Sequence, residues 1–280
     1  MTVAVFDPAL LARRRARAAP GFARHAFLWH EAGDRLLERL KDVKRQFPLA
    51  LELGSRDGSM TGKLLGQNGI SRVIPLERSA AGATGIVGHA EWLPIRPQSC
   101  DLVFSVLDLH WANDLPGALV QIRQALKPDG LFLACLAGGK TLHELRQCLM
   151  EAELELTGGA SPRVSPMIGL QDAAALLQRA GFALPVADRE ILTVTYDSPF
   201  QLLADLRGMG ATNVLHSRSR RLLRRAVLME AMRRYEKLYP EAEGRIRATV
   251  ELVFLTGWSP HESQPQPLKP GSAHGIWGKG

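Results

Sequence analysis

Apolar positions follow two rhythms along this chain. From Ala26 to Phe47, the residues Phe27, Leu28, Ala32, Leu36, Leu37, Leu40 and Val43 recur at helical spacing with charges between them, so the pattern predicts an amphipathic helix that Pro48 stops. Short apolar runs then take over: "LALEL", "RVIPLE", "DLVFSVLDLHW" from Asp101 and "GLFLACLAG" from Gly130 read as buried strands. Between them lie the helical patterns "SMTGKLLGQNG" and "DLPGALVQIRQALKPDG", with a weaker helical stretch after Glu77. A Lys-Pro-Asp-Gly turn hands the second of these helices to its strand. Strands alternating with helices at this spacing predict an α/β fold, doubly wound, with a mostly parallel sheet covered by helices on both faces.

After Gly139 the rhythm changes. A helix over "TLHELRQCLMEAELELTGG", a loop "ASPRVSP", a helix over "GLQDAAALLQRAGF", a strand "EILTVTY", a helix "SPFQLLADLRGMG", a basic helix from Ser217 to Leu238 and a last strand "TVELVFLTGW" are expected in turn. The organisation read from this is a basic, amphipathic helical segment over 1–47, one domain over 48–258 with a helical elaboration over about 140–245, and a Pro/Gly-rich tail over 259–280.

Composition changes the picture in a few places. With 280 residues and 46% of them hydrophobic, the chain can bury one large core. It has no run of eighteen apolar residues and no secretory order at its start, so a cytoplasmic protein is expected, with a peripheral contact at the inner face of a membrane left open. Cys100, Cys135 and Cys148 lack metal-ligand spacing and read as buried thiols; no metal site is expected. The net charge of +7 is concentrated in "LLARRRARAAPGFARHAF" and "SRSRRLLRRAVLMEAMRRYEKL". Neither stretch interleaves its arginines with stacking aromatics, so both are read as solvated helix faces and no nucleic-acid partner is expected.

Candidate chemistry collects at the carboxyl ends of the predicted strands, where open parallel sheets bind ligands. "LELGSRDG" closes the first strand with Glu52, Gly54, Ser55, Arg56 and Gly58, a loop whose backbone N–H groups can face a ligand. Glu77 ends the second strand, where a carboxylate can accept from both hydroxyls of a ribose. His89, Ala90 and Glu91 lie in "GHAEWLPI", and Asp108, His110 and Trp111 in "LDLHWAND". No Lys-Ser/Thr follows the glycine loop, which excludes a P-loop.

Taken together, "GHAEWLPI", "CDLVFSVLDLHWANDLPGAL" and "LKPDGLFLACLAGGKTLHELR" resemble the class I methyltransferases that use S-adenosylmethionine (SAM). Three further pieces, "SPRVSP", "LADLRGMGATN" and "GWSPHESQPQPLKPGSA", narrow the resemblance to the respiratory complex I assembly-factor family that hydroxylates an arginine. The malonyl-carrier-protein methyltransferases are similar over the first two-thirds. The resemblance implies a complex I subunit or another protein as partner and SAM as cofactor, held by Glu52, Gly54, Ser55, Arg56, Gly58, Glu77, His89, Ala90 and Glu91. It also implies Asp108, His110 and Trp111 as the active-site group, and an oxidant that the sequence does not name. Two positions depart from the methyltransferase pattern: Arg56 replaces the middle glycine, and His89 replaces an acidic residue expected at the adenine. Arg56 has two possible outcomes, pairing with the cofactor's carboxylate or filling its place.

Several residues carry a bland reading beside a functional one. His110 is an acid or base, or a histidine hydrogen-bonded in its turn. His261 to Gln264 cap the sheet or wall a substrate groove. Gly208, Gly210 and Asn213 end a helix near that opening, and the pair Gly138 and Gly139 is expected close to the ligand.

Overall fold

A computed structural model gives the fold, and it describes residues 4–81 and 85–265. Seven strands form one sheet: β1 (Leu49–Leu53), β2 (Arg72–Glu77), β3 (Ile86–Val87), β4 (Cys100–Val106), β5 (Leu126–Ala137), β6 (Ala183–Tyr196) and β7 (Ile246–Trp258). Their order is β3-β2-β1-β4-β5-β7-β6, and only β7 runs against the rest, pairing antiparallel with both β5 and β6. Strand order reverses between β1 and β4, which places the opening of the sheet above Leu53 and Val106. The predicted doubly wound α/β sheet is present.

Alternation within the strands builds the two layers of core. Leu102, Phe104, Leu131, Leu133, Leu252 and Phe254 face helix α2 (Phe27–Lys41) through Leu36, Leu37 and Leu40. Their neighbours Val103, Phe132, Leu136, Val253 and Leu255 face α4 (Leu115–Ala125) and α6 (Leu170–Arg179) through Leu119, Ile122 and Leu177. A third cluster holds the elaboration: α5 (His143–Thr157), α7 (Pro199–Gly208) and α8 (Arg225–Leu238) pack through Leu145, Leu202, Met232 and Tyr235 onto Ile246 and Ala248. The remaining helices are α1 (Pro8–Ala18) and the short α3 (Ser59–Leu64).

Several element ends differ from the pattern-based expectation, each for a tertiary reason. Helix α2 stops at Lys41 rather than running to Phe47, because the Asn68 side chain donates to the carbonyls of Leu40 (3.1 Å) and Val43 (2.6 Å) and satisfies the helix end early. α4 stops at Ala125, and Leu126 already pairs with Cys100, so the Lys-Pro-Asp-Gly turn is a bulge inside β5. No helix follows Glu77 among the described residues of that stretch. The basic helix starts at Arg225; residues 217–224 lie outside it. β6 is twice as long as the apolar run "EILTVTY", because β7 supplies a partner along its whole length.

The three cysteines are buried free thiols. Among the described residues, no helix is long and apolar enough to cross a membrane. Of the tail, only 259–265 is described; the expectation of irregular structure beyond it lies outside the described residues.

Candidate active site at the strand ends

The loop after β1 keeps the backbone of a glycine-rich turn. Gly54 has φ +75°, its N–H donates to the carbonyl of Leu76 (2.8 Å), and a Cβ there would lie 2.6 Å from Cβ of Asp108. Only glycine allows β1 and the turn after β4 to approach so closely. Arg56 adopts φ +58°, the conformation that a glycine would take at its place. Its side chain runs away from the loop: the guanidinium donates to the Met209 carbonyl (2.8 Å) and lies 4.2 Å above the Phe22 ring. Burial, with the charge of Arg15 adding to it, pulls its pKa down to about 9. Gly58, at φ +78°, begins α3. Ser55 is buried with its hydroxyl 3.4 Å from that of Thr61, and Thr61 donates to Glu52. Burial pushes the Glu52 carboxyl up to about 7.

The two acidic strand ends are already engaged. Arg15, on α1, sends one guanidinium nitrogen to Glu77 Oε1 (3.1 Å) and another to Asp108 Oδ1 (2.7 Å), with 3% of its side chain exposed. Glu77 also accepts from the backbone N–H of Arg78 (2.8 Å) and of Arg56 (3.2 Å). Arg78 Nε reaches Asp108 at 3.1 Å. Burial alone would raise the Asp108 pKa, but Arg78 and Arg15 hold its carboxyl well below the usual carboxylate range, so it stands as a fixed anion. Burial likewise opposes the charge on Arg15, and Asp108 and Glu77 overcome that opposition.

The other residues expected here fall around this cluster. His110 is half-buried at the cavity wall, and burial pulls its pKa down to about 3, so it is a neutral imidazole at ordinary pH. Trp111 stacks edge-on against Phe6, ring centroids 5.4 Å apart. The His89 pKa is lowered by burial and then by Arg78. Ala90 is fully buried, while Glu91 accepts from the backbone N–H groups of Asn113 (3.0 Å) and Asp114 (2.9 Å) and so pins the turn carrying Trp111. Glu52 Oε1, His89 Nδ1 and His110 Nδ1 are buried with no partner.

Beside the cluster lies a cavity of about 410 Å³ under the elaboration. Apolar residues, leucines foremost, form most of its wall; Arg15, Arg56, Arg163 and Arg207 reach it, and no carboxylate does among the described residues. Arg15 is already paired with Glu77 and Asp108, and Arg163 with Glu153, so Arg56 and Arg207 are the cations such a cavity offers an apolar ligand carrying negative charge.

Gly138 has a different place from that expected, and the 261–264 segment takes the capping one of its two readings. Gly138 lies against Glu251 and Val253, where a Cβ would come within 2.7 and 2.8 Å, so its glycine serves packing. Gln264 donates to Asp129 (2.8 Å) beside the start of β5, at the far end of the sheet from Asp108, so this segment caps the sheet.

Arg15 and Arg78 are the residues that the sequence reading passed over. Leu11, Arg15 and Ala18 form the buried stripe of α1, at spacings of four and three. An arginine at an apolar-stripe position was the available sign.

SAM, the cofactor this fold implies, meets a mixed fit. The three unpartnered polar atoms at the strand ends suit a polar ligand, but both oxygens of Glu77, which would take the ribose, are held by Arg15, Arg78 and Arg56. Arg15 thus competes with a ribose at Glu77 Oε1, while Oε2 accepts only the Arg56 N–H among the described residues.

Residues 51–134 match the family model described as a methyltransferase domain. A protein of Bacillus halodurans described as a methyltransferase superposes with a TM-score of 0.56 at 13% identity, covering 82% of this chain and 100% of that one, a likeness of fold alone. Fold and strand-end residues thus define a protein of the class I methyltransferase fold. The mitochondrial arginine-hydroxylase NDUFAF5 of Danio rerio is 36% identical over 282 residues, covering 96% of this chain and 87% of the relative. The chain belongs to the family of these arginine-hydroxylases. A malonyl-acyl-carrier-protein O-methyltransferase of Xylella fastidiosa is 32% identical over 91% of this chain, so that likeness extends well beyond the first two-thirds. The hydroxylase relatives are named as mitochondrial, and the cytoplasmic expectation finds no support in them.

Proposed function

We propose that this chain acts in the assembly of respiratory complex I and hydroxylates an arginine of one of its subunits, working at the face of the membrane where that complex is built. The single observation that carries the reading is the match to the arginine-hydroxylases, 36% identical along 96% of the chain. SAM is the proposed cofactor, weakly held, with Glu52, Gly54, Ser55, Gly58, Glu77, His89, Ala90 and Glu91 around it. Trp111 and the neutral His110 border the proposed reaction space, and Asp108 acts there as a fixed negative charge rather than as a base. The test is mass spectrometry of complex I arginines in cells with and without this chain. An oxygen atom on one arginine that disappears with the chain is the expected result; normal assembly with unchanged arginines would refute it.

One observation favours a second reading. A largely apolar cavity reached by Arg56 and Arg207 suits a carboxylate-bearing acyl group, the kind of substrate for which the malonyl-acyl-carrier-protein methyltransferases are named. Transfer of a labelled methyl group from SAM to such a thioester would establish that reading in place of hydroxylation. A third, non-catalytic reading as an assembly chaperone draws on Arg15 in the cofactor cradle; stoichiometric binding of a subunit with no change in its mass would favour it.

A further inference from the structure

The arginine between Glu77 and Asp108 belongs to a segment held in place from outside the cradle. Asp7 caps α1 by accepting from the Leu10 N–H (2.9 Å), and its own N–H donates to the Val214 carbonyl (2.9 Å). Phe6 bridges to Leu215, and its N–H donates to the Asn113 side chain (2.7 Å). Gly210, at φ +70°, lets the backbone after α7 come so near α1 that a Cβ there would lie 3.3 Å from Cα of Arg15. The clasp made by 210–218 therefore sets α1 at the depth where Arg15 reaches both carboxylates.

Two facts about the cradle conflict unless α1 moves. Three buried polar atoms at the strand ends, on Glu52, His89 and His110, have no hydrogen-bond partner, as groups waiting for a polar ligand would. In the carboxylate that would hold a ribose, Oε1 is taken by a side chain that enters from α1. Exchange of partners is chemically balanced: if Arg15 leaves, two ribose hydroxyls can replace it at Glu77, while Asp108 keeps Arg78 at 3.1 Å. Without a ligand, withdrawal would strip Glu77 of its only side-chain partner among the described residues, which holds the plug in.

We propose that α1 is a built-in plug: Arg15 stands in the ribose place, and SAM enters only as α1 withdraws, so that cofactor binding releases the segment around Phe6 to Ala18 from its clasp. The inference rests on the reading of these strand ends as a SAM cradle. Cofactor loading would then expose Trp111 and the 210–218 clasp, which Phe6 and Leu11 cover in the plugged state.

Calorimetric titration with S-adenosylhomocysteine, on the full chain and on Arg15→Gln, tests this beside hydrogen exchange of α1. Arg15→Gln is expected to bind at least about tenfold more tightly than the natural chain, and saturating ligand to accelerate exchange across residues 8–18 of the natural chain. Equal affinities, or binding with α1 exchange unchanged or slowed, would overturn the plug and leave the cofactor reading standing. Silence from both proteins would remove the plug and the SAM cradle together. Asp7→Ala, which loosens the clasp without touching the cradle, is a second variant should Arg15→Gln fold poorly; it is expected to tighten ligand binding as well, and unchanged affinity there counts against the plug.

Discussion

Replacing Asp108 by Asn keeps the shape of the side chain and removes its charge from between two buried guanidinium groups. Arg15 lies 2.7 Å away and Arg78 3.1 Å, with side-chain exposures of 3%, 4% and 2% for Arg15, Arg78 and Asp108. Removing one partner from a pair buried to this degree costs about 3–5 kcal/mol, because the remaining charge stays desolvated. At roughly 2–4 °C per kcal/mol for a chain of this size class, the melting temperature should fall by about 10 °C. Arg15→Gln alone should cost a similar amount by stranding Glu77 and half of Asp108. Combined, the two changes should cost less than the sum of their separate effects by about 1–3 kcal/mol, since each relieves a charge stranded by the other. Urea unfolding of the four proteins, followed by circular dichroism, measures that coupling. Additivity within about 0.5 kcal/mol would show that Arg15 and Asp108 do not interact, and the account of the cluster would fall with it.

Other expectations follow from the same geometry. Gly54→Ala should lower stability by about 2–4 kcal/mol, from the left-handed φ and from the shift forced on Asp108, as thermal melting would register; a loss under about 0.5 kcal/mol would contradict the close approach of β1 to the turn after β4. Arg56→Gly trades the Phe22 contact and the Met209 hydrogen bond for relaxed backbone at φ +58°, and stability should change by no more than about 1 kcal/mol. Glu52, raised to about 7, weakens the folded state as pH rises through that value, since the unfolded chain holds its carboxyl ionised at lower pH. Glu52→Gln should therefore gain stability over the natural chain by about 3 kcal/mol at about pH 8.5 and lose about half of that gain by about pH 5.5, as paired melts would reveal; a gain independent of pH would refute the assignment.

How much of this was legible beforehand depended on how local each cause was. "RVIPLE" was read as a strand and spans β2 residue for residue, because its apolar run is bounded by turns and both faces are covered. Glu52, Gly54 and Glu77 could be placed at strand ends for the same reason: a strand that stops at a carboxylate puts it at the mouth of the sheet. Helix ends were misjudged where a distant side chain decided them, as Asn68 does for α2. Charge was misread in one place with consequences. "ARRRARA" looks like a solvated basic face, and Arg13 and Arg17 leave that reading intact, but the stripe from Leu11 to Ala18 carries Arg15 into the core. No local pattern distinguishes an arginine that will find two buried carboxylates from one that will find water, because the carboxylates come from strands more than sixty residues away.

Two of the three pieces that set this chain apart from methyltransferases at large acquire a common purpose once α1 is in view. In "LADLRGMGATN", Asp205 takes the His25 ring nitrogen at 2.6 Å, a Cβ on Gly208 would collide with that ring, and Gly210 gives way to the backbone at Arg15. Asn213 donates to Pro162 of "SPRVSP" (2.9 Å), and Arg163 of the same piece pairs with Glu153 on α5. The chain of contacts runs from α5 through both pieces to α1 and ends at Glu77 and Asp108. Glycines at 208 and 210 thus answer to close packing against the N-terminal segment, a demand that the opening over a substrate would not impose. What these two pieces hold is the helix whose arginine pairs with Glu77 and Asp108, so features that mark the family also fix how deeply that arginine sits.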